Sequence, residues 1–473
     1  MKKILNFKTA RLGRGRGIAV LLAAAMAFGP GASAWADSTV DGRIDTLEKT
    51  LQDVLRELET LKKEREEQRR RVEDERRADE EKRKAMDATQ QALMEEIEEL
   101  KSEPKGEGFV ASARGAIDRV APGLRLGAYG EHHFNWIEGS GGDQSDIHRF
   151  VLYLGYEFND WLRLHSETEI EHGFIEEDNG ELVIEQLFAE FLITKQFNIR
   201  LGRVLHPAGI MNRYHEPTTF YSVERPTFSS LVLPSTWSID GVGAWGSLTD
   251  WLSYEVYLHA GLDGSGFSAD EGIREGRQEE RPGLADPGVS GRVDFRPLVA
   301  LGVDTTADLR LGFSGAFVGT DNANRGGNND TPGHVTILAG DGQFRWERVE
   351  VRGELAWIDN TAAEELTNGA AREIFGWYAE LALHVWPTAW RTGVFEDSDL
   401  VTFVRYDNSD TQFRPLAGNP RIRQFDRREV AFGVAFFPVH NFVIKATATI
   451  ADDAAHDGVE TPDRFDLGFG YEF

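Results

Sequence analysis

The final strand-like run of the sequence constrains the fold more than any other feature. Apolar residues occupy every second position of this run, at Phe465, Leu467, Phe469, Tyr471 and Phe473, and the residues between them are small or polar. Because side chains alternate across a β-strand, the run has an apolar face and a polar face. Strands that place apolar residues outside and polar residues inside are typical of a transmembrane β-barrel.

The same pattern recurs throughout residues 124–473. Amphipathic or aromatic runs of about ten residues are separated by turns and loops, as in the strands of such barrels. We therefore predict an all-β fold, a 16-stranded antiparallel transmembrane β-barrel. The sixteen predicted strands are 124–136, 147–158, 161–173, 183–194, 198–204, 240–248, 251–261, 289–296, 308–318, 334–346, 348–358, 374–386, 398–407, 427–438, 441–452 and 463–473.

The connections between these strands alternate in length. Tight turns, such as 159–160 and 249–250, alternate with long polar loops, such as 262–288. Short turns at one end and long loops at the other are typical of bacterial outer-membrane barrels, whereas a soluble β-sandwich does not require this asymmetry. Two connections at the short-turn end, 297–307 and 387–397, are longer than this rule expects, so the strand count could differ by two.

The first 36 residues have the composition of a signal peptide. Basic residues precede an apolar run at 18–28, and Ala34-Trp35-Ala36 matches a cleavage site before Asp37. A membrane anchor is the alternative, but the apolar run is too short to span a bilayer.

Residues 37–103 predict a periplasmic coiled coil that precedes the barrel. Ile44, Leu51 and Leu58 recur every seven residues, as in a heptad repeat, and a second seam returns near Leu93 and Leu100. Polar residues interrupt the seam between residues 62 and 85, so a single solvated helix held by ion pairs remains the alternative. Residues 104–123 form a predicted linker.

The charge of the chain is unevenly distributed. Residues 1–120 contain 24 basic and 24 acidic residues, so the barrel region carries the whole net charge of −27, and it contains only the lysines Lys195 and Lys445. Such acidity argues against a nucleic-acid partner, which requires basic patches. The chain has no cysteine, which excludes thiolate chemistry.

The connection 205–239 is long and comparatively apolar for an exposed loop. We expect it to fold into the lumen and narrow the pore, because constrictions and rings of charge set pore selectivity. A loop packed at a subunit interface or over the mouth is the alternative. The predicted constriction residues are Arg203, Arg213, Glu216, Glu224 and Arg225.

Acidic residues line one face of the third predicted strand. Glu167, Glu169 and Glu171 alternate there, which predicts an acidic row facing the lumen. The row either attracts cations or forms the hydrated wall of a wide pore. A second row on and near the eighth predicted strand is interpreted as a basic row that faces the acidic one, and it consists of Arg292, Asp294, Arg296 and Arg310.

Sequence motifs give no support for catalysis or for a bound metal or cofactor. The histidines are scattered, whereas a metal site needs several converging ligands, so we interpret them as polar residues of the lumen, with a site at Glu131 and His133 as the alternative. No nucleophile elbow, phosphate-binding loop or zinc-protease motif is present. The sequence predicts no enzyme activity, no cofactor and no metal site.

Two stretches resemble known sequence features. Phe469, Tyr471 and Phe473 resemble the sorting signal that the outer-membrane barrel assembly machinery reads. Residues 198–209 (NIRLGRVLHPAG) are similar to the passage into the third loop in the phosphate-selective porin O and P family. This resemblance covers residues 124–473 as a pattern, and it implies a signal peptide, often a coiled coil, and a sixteen-stranded homotrimer.

The resemblance implies an outer-membrane porin of a Gram-negative bacterium. Such a pore is embedded in outer-membrane lipid and lets small hydrophilic solutes or ions diffuse, including anions such as phosphate. The phosphate-selective members have lysine-rich pores, so the scarcity of lysine here puts phosphate in doubt. An alternative function is an envelope tether, in which the coiled coil links the outer membrane to peptidoglycan or to a periplasmic partner.

Overall fold

The computed structural model describes residues 121–139, 142–173, 180–278, 280–455 and 462–473, together with scattered positions between 44 and 70. The predicted signal peptide and most of the predicted linker lie outside the described residues. The described positions from Ile44 to Arg70 are helical and exposed, while the pairing of helices into a coiled coil stays a prediction.

The described part of the chain forms sixteen antiparallel strands in a closed barrel, which confirms the predicted all-β fold. Each strand pairs with its neighbours in sequence, and the first strand pairs with the last. The strands are β1 Leu124–Ile137, β2 Gln144–Asn159, β3 Leu162–Glu171, β4 Glu181–Leu192, β5 Asn198–Leu205, β6 Ser238–Ser247, β7 Leu252–His259, β8 Gly288–Phe295, β9 Asp308–Gly319, β10 His334–Trp346, β11 Val349–Asn360, β12 Glu373–His384, β13 Asp399–Arg414, β14 Asp426–Val439, β15 Phe442–Asp453 and β16 Arg464–Glu472.

The largest departure from the predicted strands is in β13, where the prediction of an end at residue 407 was wrong. The strand continues to Arg414 through a polar segment. Thr411 Oγ1 donates to the carbonyl of Ala269 at 2.7 Å, and Gln412 Nε2 donates to the carbonyl of Gly369 at 3.0 Å. The alternating apolar pattern stops before this segment because its side chains bond to loops instead of facing an apolar surface.

The two unusually long connections at the short-turn end contain helical turns. A short helix, α1 (Pro297–Ala300), lies between β8 and β9, and the 3₁₀ turns Thr388–Trp390 and Gly393–Phe395 lie between β12 and β13. The extra residues therefore form local turns, and the count of sixteen strands stands.

Burial in the barrel is inverted relative to a soluble protein. On β16, Phe465 and Phe469 are 46% and 38% exposed on the outer face, whereas Asp466 is fully buried on the inner face. Large apolar residues are exposed along the other strands too, and charged residues are buried inside. An apolar exterior of this kind matches a hydrocarbon surrounding. Among the described residues, no helix is both long and apolar enough to cross a membrane.

The apolar core lies inside the barrel, toward the end with the long loops. The connection between β5 and β6 enters the lumen and contains a second short helix, α2 (Phe228–Leu231). The connection between β7 and β8 packs on it through Phe267 and Ile273, which are buried with Phe228 and Trp237 in one cluster. The remaining 3₁₀ turns are Gly264–Gly266, Arg274–Gly276, Thr361–Glu365 and Arg423–Phe425.

Candidate pore constriction

The loop of residues 205–239, here called the lumen loop, crosses the interior of the barrel. Arg149 of β2 donates to the carbonyl of His215. Farther along the loop, Arg352 Nη1 of β11 donates to the carbonyl of Thr219 at 2.7 Å. The backbone N–H of Val223 donates to a β15 hydroxyl at 3.0 Å. Because these partners lie on separate parts of the wall, the loop is held across the lumen, as its apolar composition led us to expect.

The start of the lumen loop is anchored on one buried carboxylate. The backbone N–H groups of Ile210 and Met211 donate to the two oxygens of Glu354 at 2.8 and 3.0 Å. Gly209 precedes them with φ +76°, and a Cβ at this position would lie 2.3 Å from Glu354 Oε2. Glycine is needed here both for the left-handed backbone and for the close approach.

Two of the predicted constriction residues form ion pairs on neighbouring parts of the barrel. Arg203 pairs with Asp240 of β6, with Nε and Oδ1 2.6 Å apart, and it does not project from the lumen loop. Arg213 lies on the loop and reaches the wall, where its guanidinium lies 3.1 Å from Glu255 of β7 and 3.0 Å from Asp294 of β8.

Glu224 faces the opposite strands at the seam of the barrel. Its Oε1 lies 3.0 Å from His133 Nδ1 and accepts a hydrogen bond from Asn135 Nδ2 at 2.9 Å. Burial raises the pKa of Glu224, but the bond with His133 outweighs it, and the net pKa lies well below the usual range. Glu224 is therefore an ionised anchor of the loop on β1.

The other two predicted constriction residues line cavities within the barrel. Glu216 lies beside Tyr153, whose hydroxyl is 3.4 Å from Oε1, while its Oε2 has no hydrogen-bond partner in the described part of the chain. Arg225 Nη1 donates to Ser235 Oγ at 2.9 Å. Burial and the neighbouring Arg149 lower the pKa of Arg225. The structure thus spreads the five predicted residues around the lumen, and their role in selectivity stays a prediction.

The predicted acidic row lies on the lumen face of β3. Glu167 and Glu169 are buried, and Glu171 lies at the long-loop end of the same face. Glu185 of β4 lies beside this row at a β-bulge, because Glu167 pairs with Gln186 and the next residue of β3 pairs with Ile184. A bulge re-aims the extra side chain, and here it adds a carboxylate to the row.

The lumen loop brings His215 against this acidic row. His215 Nε2 lies 3.3 Å from Glu185 Oε1 and 3.1 Å from the hydroxyl of Tyr129, while Nδ1 lies 3.0 Å from the carbonyl of Asn212. Burial lowers the pKa of His215, but the Glu185 carboxylate more than offsets it and raises the pKa to about 9.

Cavities lie on both sides of this group. One, of about 480 Å³, is lined by Glu167, His215 and Glu216 and reaches the short-turn end near Phe473. Another, of about 270 Å³, is lined by Glu171 and Glu185 and lies toward the long loops. The acidic group therefore stands at the boundary between two cavities of the lumen.

The predicted basic row on and near β8 does not consist of unpaired charges. Arg292 donates to Asp341 at 2.6 and 2.8 Å and to Asp294 at 2.8 Å, and Arg296 lies beyond the end of β8. Arg310 lies over the ring of Tyr214, with its guanidinium carbon 5.0 Å from the ring centre. Asp294 belonged to the predicted row, whereas Asp341 of β10 did not, and together these two carboxylates neutralise Arg292.

Sequence reasoning did not include Arg149, Glu185 or His215 in the constriction. The one local signal for Glu185 is the pair Glu185-Gln186 between the outward residues Ile184 and Leu187, which breaks strict alternation as a bulge does. Nothing in the sequence near His215 shows that it meets β4.

Comparison with known proteins shows the fold and not a family. No family model matches the sequence. An uncharacterized protein of Aquifex aeolicus (strain VF5) is 28% identical over 355 residues, which cover 71% of this chain and 77% of that protein. The high-pH structure of Pseudomonas putida OprB has a TM-score of 0.50 at 8% identity, covering 77% of this chain and 97% of that chain. The anion-selective porin from Comamonas acidovorans has a TM-score of 0.47 at 8% identity, covering 74% and 99%.

Proposed function

We propose that the chain is an outer-membrane porin, a pore through which small hydrophilic solutes or ions diffuse passively. The observation that carries this proposal is the lumen loop held across a barrel whose exterior is apolar and whose interior is charged. A closed barrel of this polarity is suited to a bilayer, and an inward loop narrows the path that solutes take.

The proposed location follows from the same asymmetry. In bacterial outer-membrane barrels the short turns face the periplasm and the long loops face outward. We infer the same orientation here, in the outer membrane of a Gram-negative bacterium. Phe469 lies on the lipid-facing side of β16, and Phe469, Tyr471 and Phe473 are the residues that we propose the assembly machinery reads.

The proposed pore prefers cations. Glu167, Glu169, Glu185 and Glu216 each have at least one buried carboxylate oxygen without a hydrogen-bond partner among the described residues. Because carboxylate oxygens that lack a hydrogen-bond donor attract positive charge along a narrow path, they favour cations over anions. The net charge of −27 acts in the same direction.

Phosphate is the competing solute, implied by the resemblance to the phosphate-selective family. Arg310 is the residue best placed to bind it. Its Nε and Nη2 are buried without a hydrogen-bond partner in the described ranges, although Nε lies 3.5 Å from an oxygen of Asp294. Guanidinium groups pair well with phosphate oxygens.

Planar-bilayer recording of the full-length chain tests the proposal. With unequal KCl concentrations on the two sides, we expect a passive current whose reversal potential has the sign of cation preference and does not respond to added phosphate. Glu216→Gln should reduce this preference, because it removes a lumen charge at constant shape. Arg310→Gln is the matched substitution for the phosphate alternative.

Three outcomes would contradict parts of this proposal. An absence of current from correctly folded protein would exclude a pore. Anion preference would overturn the selectivity. Block by phosphate that disappears in Arg310→Gln would establish the family's cargo instead.

The N-terminal helix favours a second function that is compatible with a pore. Ile44, Leu51 and Leu55 are apolar and exposed at described helical positions. Such residues are normally covered by partner helices. We propose that this segment forms a coiled coil in the periplasm, either as a stem of a homotrimer or as a tether to peptidoglycan or a periplasmic partner.

A further inference from the structure

Three side chains from separate elements converge at the boundary between the two lumen cavities. Glu167 comes from β3, Glu185 from the bulge of β4, and His215 from the lumen loop, and one ligand atom of each lies within 4.8 Å of the others. Two atoms that are each about 2.1 Å from a metal ion lie roughly 3 to 3.4 Å apart. The 3.3 Å between His215 Nε2 and Glu185 Oε1 matches this spacing.

The carboxylates of this group are buried, and three of their four oxygens lack a hydrogen-bond donor among the described residues. Glu167 and Glu185 are 1% and 2% exposed. Glu167 Oε1 and both carboxylate oxygens of Glu185 have no hydrogen-bond partner within the described part of the chain. Buried charges are normally paired or bound to a metal, because an isolated buried carboxylate is very unfavourable.

The surrounding charges leave the group negative. The imidazole of His215 and the guanidinium groups of Arg149 and Arg225 act on the acidic group, but Arg149 is already engaged by Glu131 at 2.5 Å. Glu169 adds a further carboxylate, with Oε1 3.8 Å from Arg149 Nη1. With Glu131 paired to Arg149, the carboxylates of Glu167, Glu169 and Glu185 outnumber the remaining guanidinium group, that of Arg225, so the group favours a bound cation.

The contact between His215 and the backbone of Asn212 suits metal binding. Nδ1 lies 3.0 Å from the carbonyl of Asn212, and a carbonyl only accepts, so Nδ1 carries a proton. In the neutral ring the lone pair is then on Nε2, which faces Glu185. Histidines that ligate metals typically donate their other N–H in this way.

We propose that Glu167, Glu185 and His215 bind one divalent transition-metal ion. Carboxylates together with one imidazole suit ions such as Mn²⁺ and Zn²⁺, whereas Ca²⁺ favours oxygen ligands alone. The ion would join β3, β4 and the lumen loop. The site therefore couples metal binding to the position of the loop that narrows the lumen.

A Mn²⁺ titration of the detergent-solubilised full chain tests the proposal. The protein is first stripped of metal with a chelator and dialysed, and the EPR signal of free Mn²⁺ then reports how much of the added ion is bound. We expect one bound Mn²⁺ per chain that Zn²⁺ displaces and an equal concentration of Ca²⁺ does not. Glu185→Gln and Glu167→Gln should each weaken Mn²⁺ binding by more than about tenfold. Removal of a group that only hydrogen-bonds a metal ligand already lowers metal affinity by about 10- to 100-fold. Bound Mn²⁺ should also raise the unfolding temperature of the wild type.

Two variants control for other sites and for general damage. Glu190 lies on β4, as Glu185 does, but it pairs with Arg200 at 2.8 Å. The Glu190→Gln variant should therefore bind Mn²⁺ normally. His148→Gln tests the partly exposed group in which Asp146 Oδ2 lies 3.2 and 3.0 Å from the Nδ1 atoms of His148 and His172. It should also bind normally.

Several results would overturn the proposal. The first is that the wild type does not bind Mn²⁺. The second is that His148→Gln loses binding while Glu185→Gln retains it. The third is that an equal concentration of Ca²⁺ displaces the bound Mn²⁺. The wild-type measurement holds even if a variant fails to fold. Mn²⁺ binding is measured without any ion flow through the barrel. A failure to bind Mn²⁺ is therefore distinct from a failure of the pore proposal.

Discussion

At the scale of single residues, Gly209 is a position where a small change should have a large effect on the lumen loop. Gly209→Ala places a Cβ 2.3 Å from Glu354 Oε2 on a backbone with φ +76°, and so disturbs the anchor of the lumen loop. We expect the free energy of unfolding to fall by about 1–3 kcal/mol. Chemical unfolding in detergent micelles measures it.

Gly418→Ala is the matched control for this substitution. Gly418 also has a positive φ, +93°, but a Cβ there meets nothing within 4 Å. The control should therefore cost only the backbone term of about 1–2 kcal/mol. Equal losses in both variants would show that contact with Glu354 has no role.

Residue contacts of this kind could not be predicted from the sequence. The local composition of residues 205–239 indicated an inward loop, but not that Glu354 binds its backbone or that Glu224 meets His133. These partners are far apart in the chain and meet only after the barrel closes. Alternation of apolar residues reports which face a side chain occupies, and not which side chain lies opposite it across the lumen.

At the scale of elements, the lumen loop should lose part of its anchoring in acid. The pKa of Glu224 is lowered in the folded protein, so its contribution to stability is present above the unfolded value of about 4.3 and is lost as pH falls below it. Thermal unfolding between neutral pH and pH ~3 should therefore show a steeper decline for wild type than for Glu224→Gln. Parallel curves would mean that Glu224 does not stabilise the loop through its charge.

The groups around Glu224 decide the sign of this effect. His133 and Asn135 of β1 contact its carboxylate, and Arg464 of β16 acts on it over a longer distance. These neighbours are positive or donate hydrogen bonds, so they favour the ionised form. The Gln substitution keeps the shape of the side chain and removes the titration.

The strands were more predictable than the loops because each strand carries its own pattern. Alternation identified all sixteen strands, since a lipid-facing row must be apolar along its whole length. It failed at β13, where the strand continues past the apolar band, and at Glu185, where a bulge changes the facing of one residue. Both failures occur where the interior of the barrel determines the side chains, which bond to loops in β13 and face the lumen at Glu185.

At the scale of the whole molecule, closure determines what the interior can contain. β1 and β16 pair from Tyr129 with Glu472 to Ile137 with Arg464, so charged residues from distant parts of the sequence share one enclosed space. The lumen loop then divides that space. An excess of carboxylates could be read from the sequence, but their concentration near His215 depends on closure and on the path of the loop together.

The N-terminal segment adds a prediction at this scale. We expect the full chain to be a trimer in native mass measurements, as the resemblance implies, and deletion of residues 40–103 to lower the temperature at which the trimer dissociates. The reason is that exposed Ile44 and Leu51 recur at heptad spacing and would be covered by partner helices. Because the barrel should still form the pore, the conductance of the deletion variant should match that of the full chain. An unchanged dissociation temperature together with a loss of envelope attachment in cells would instead assign this segment to tethering.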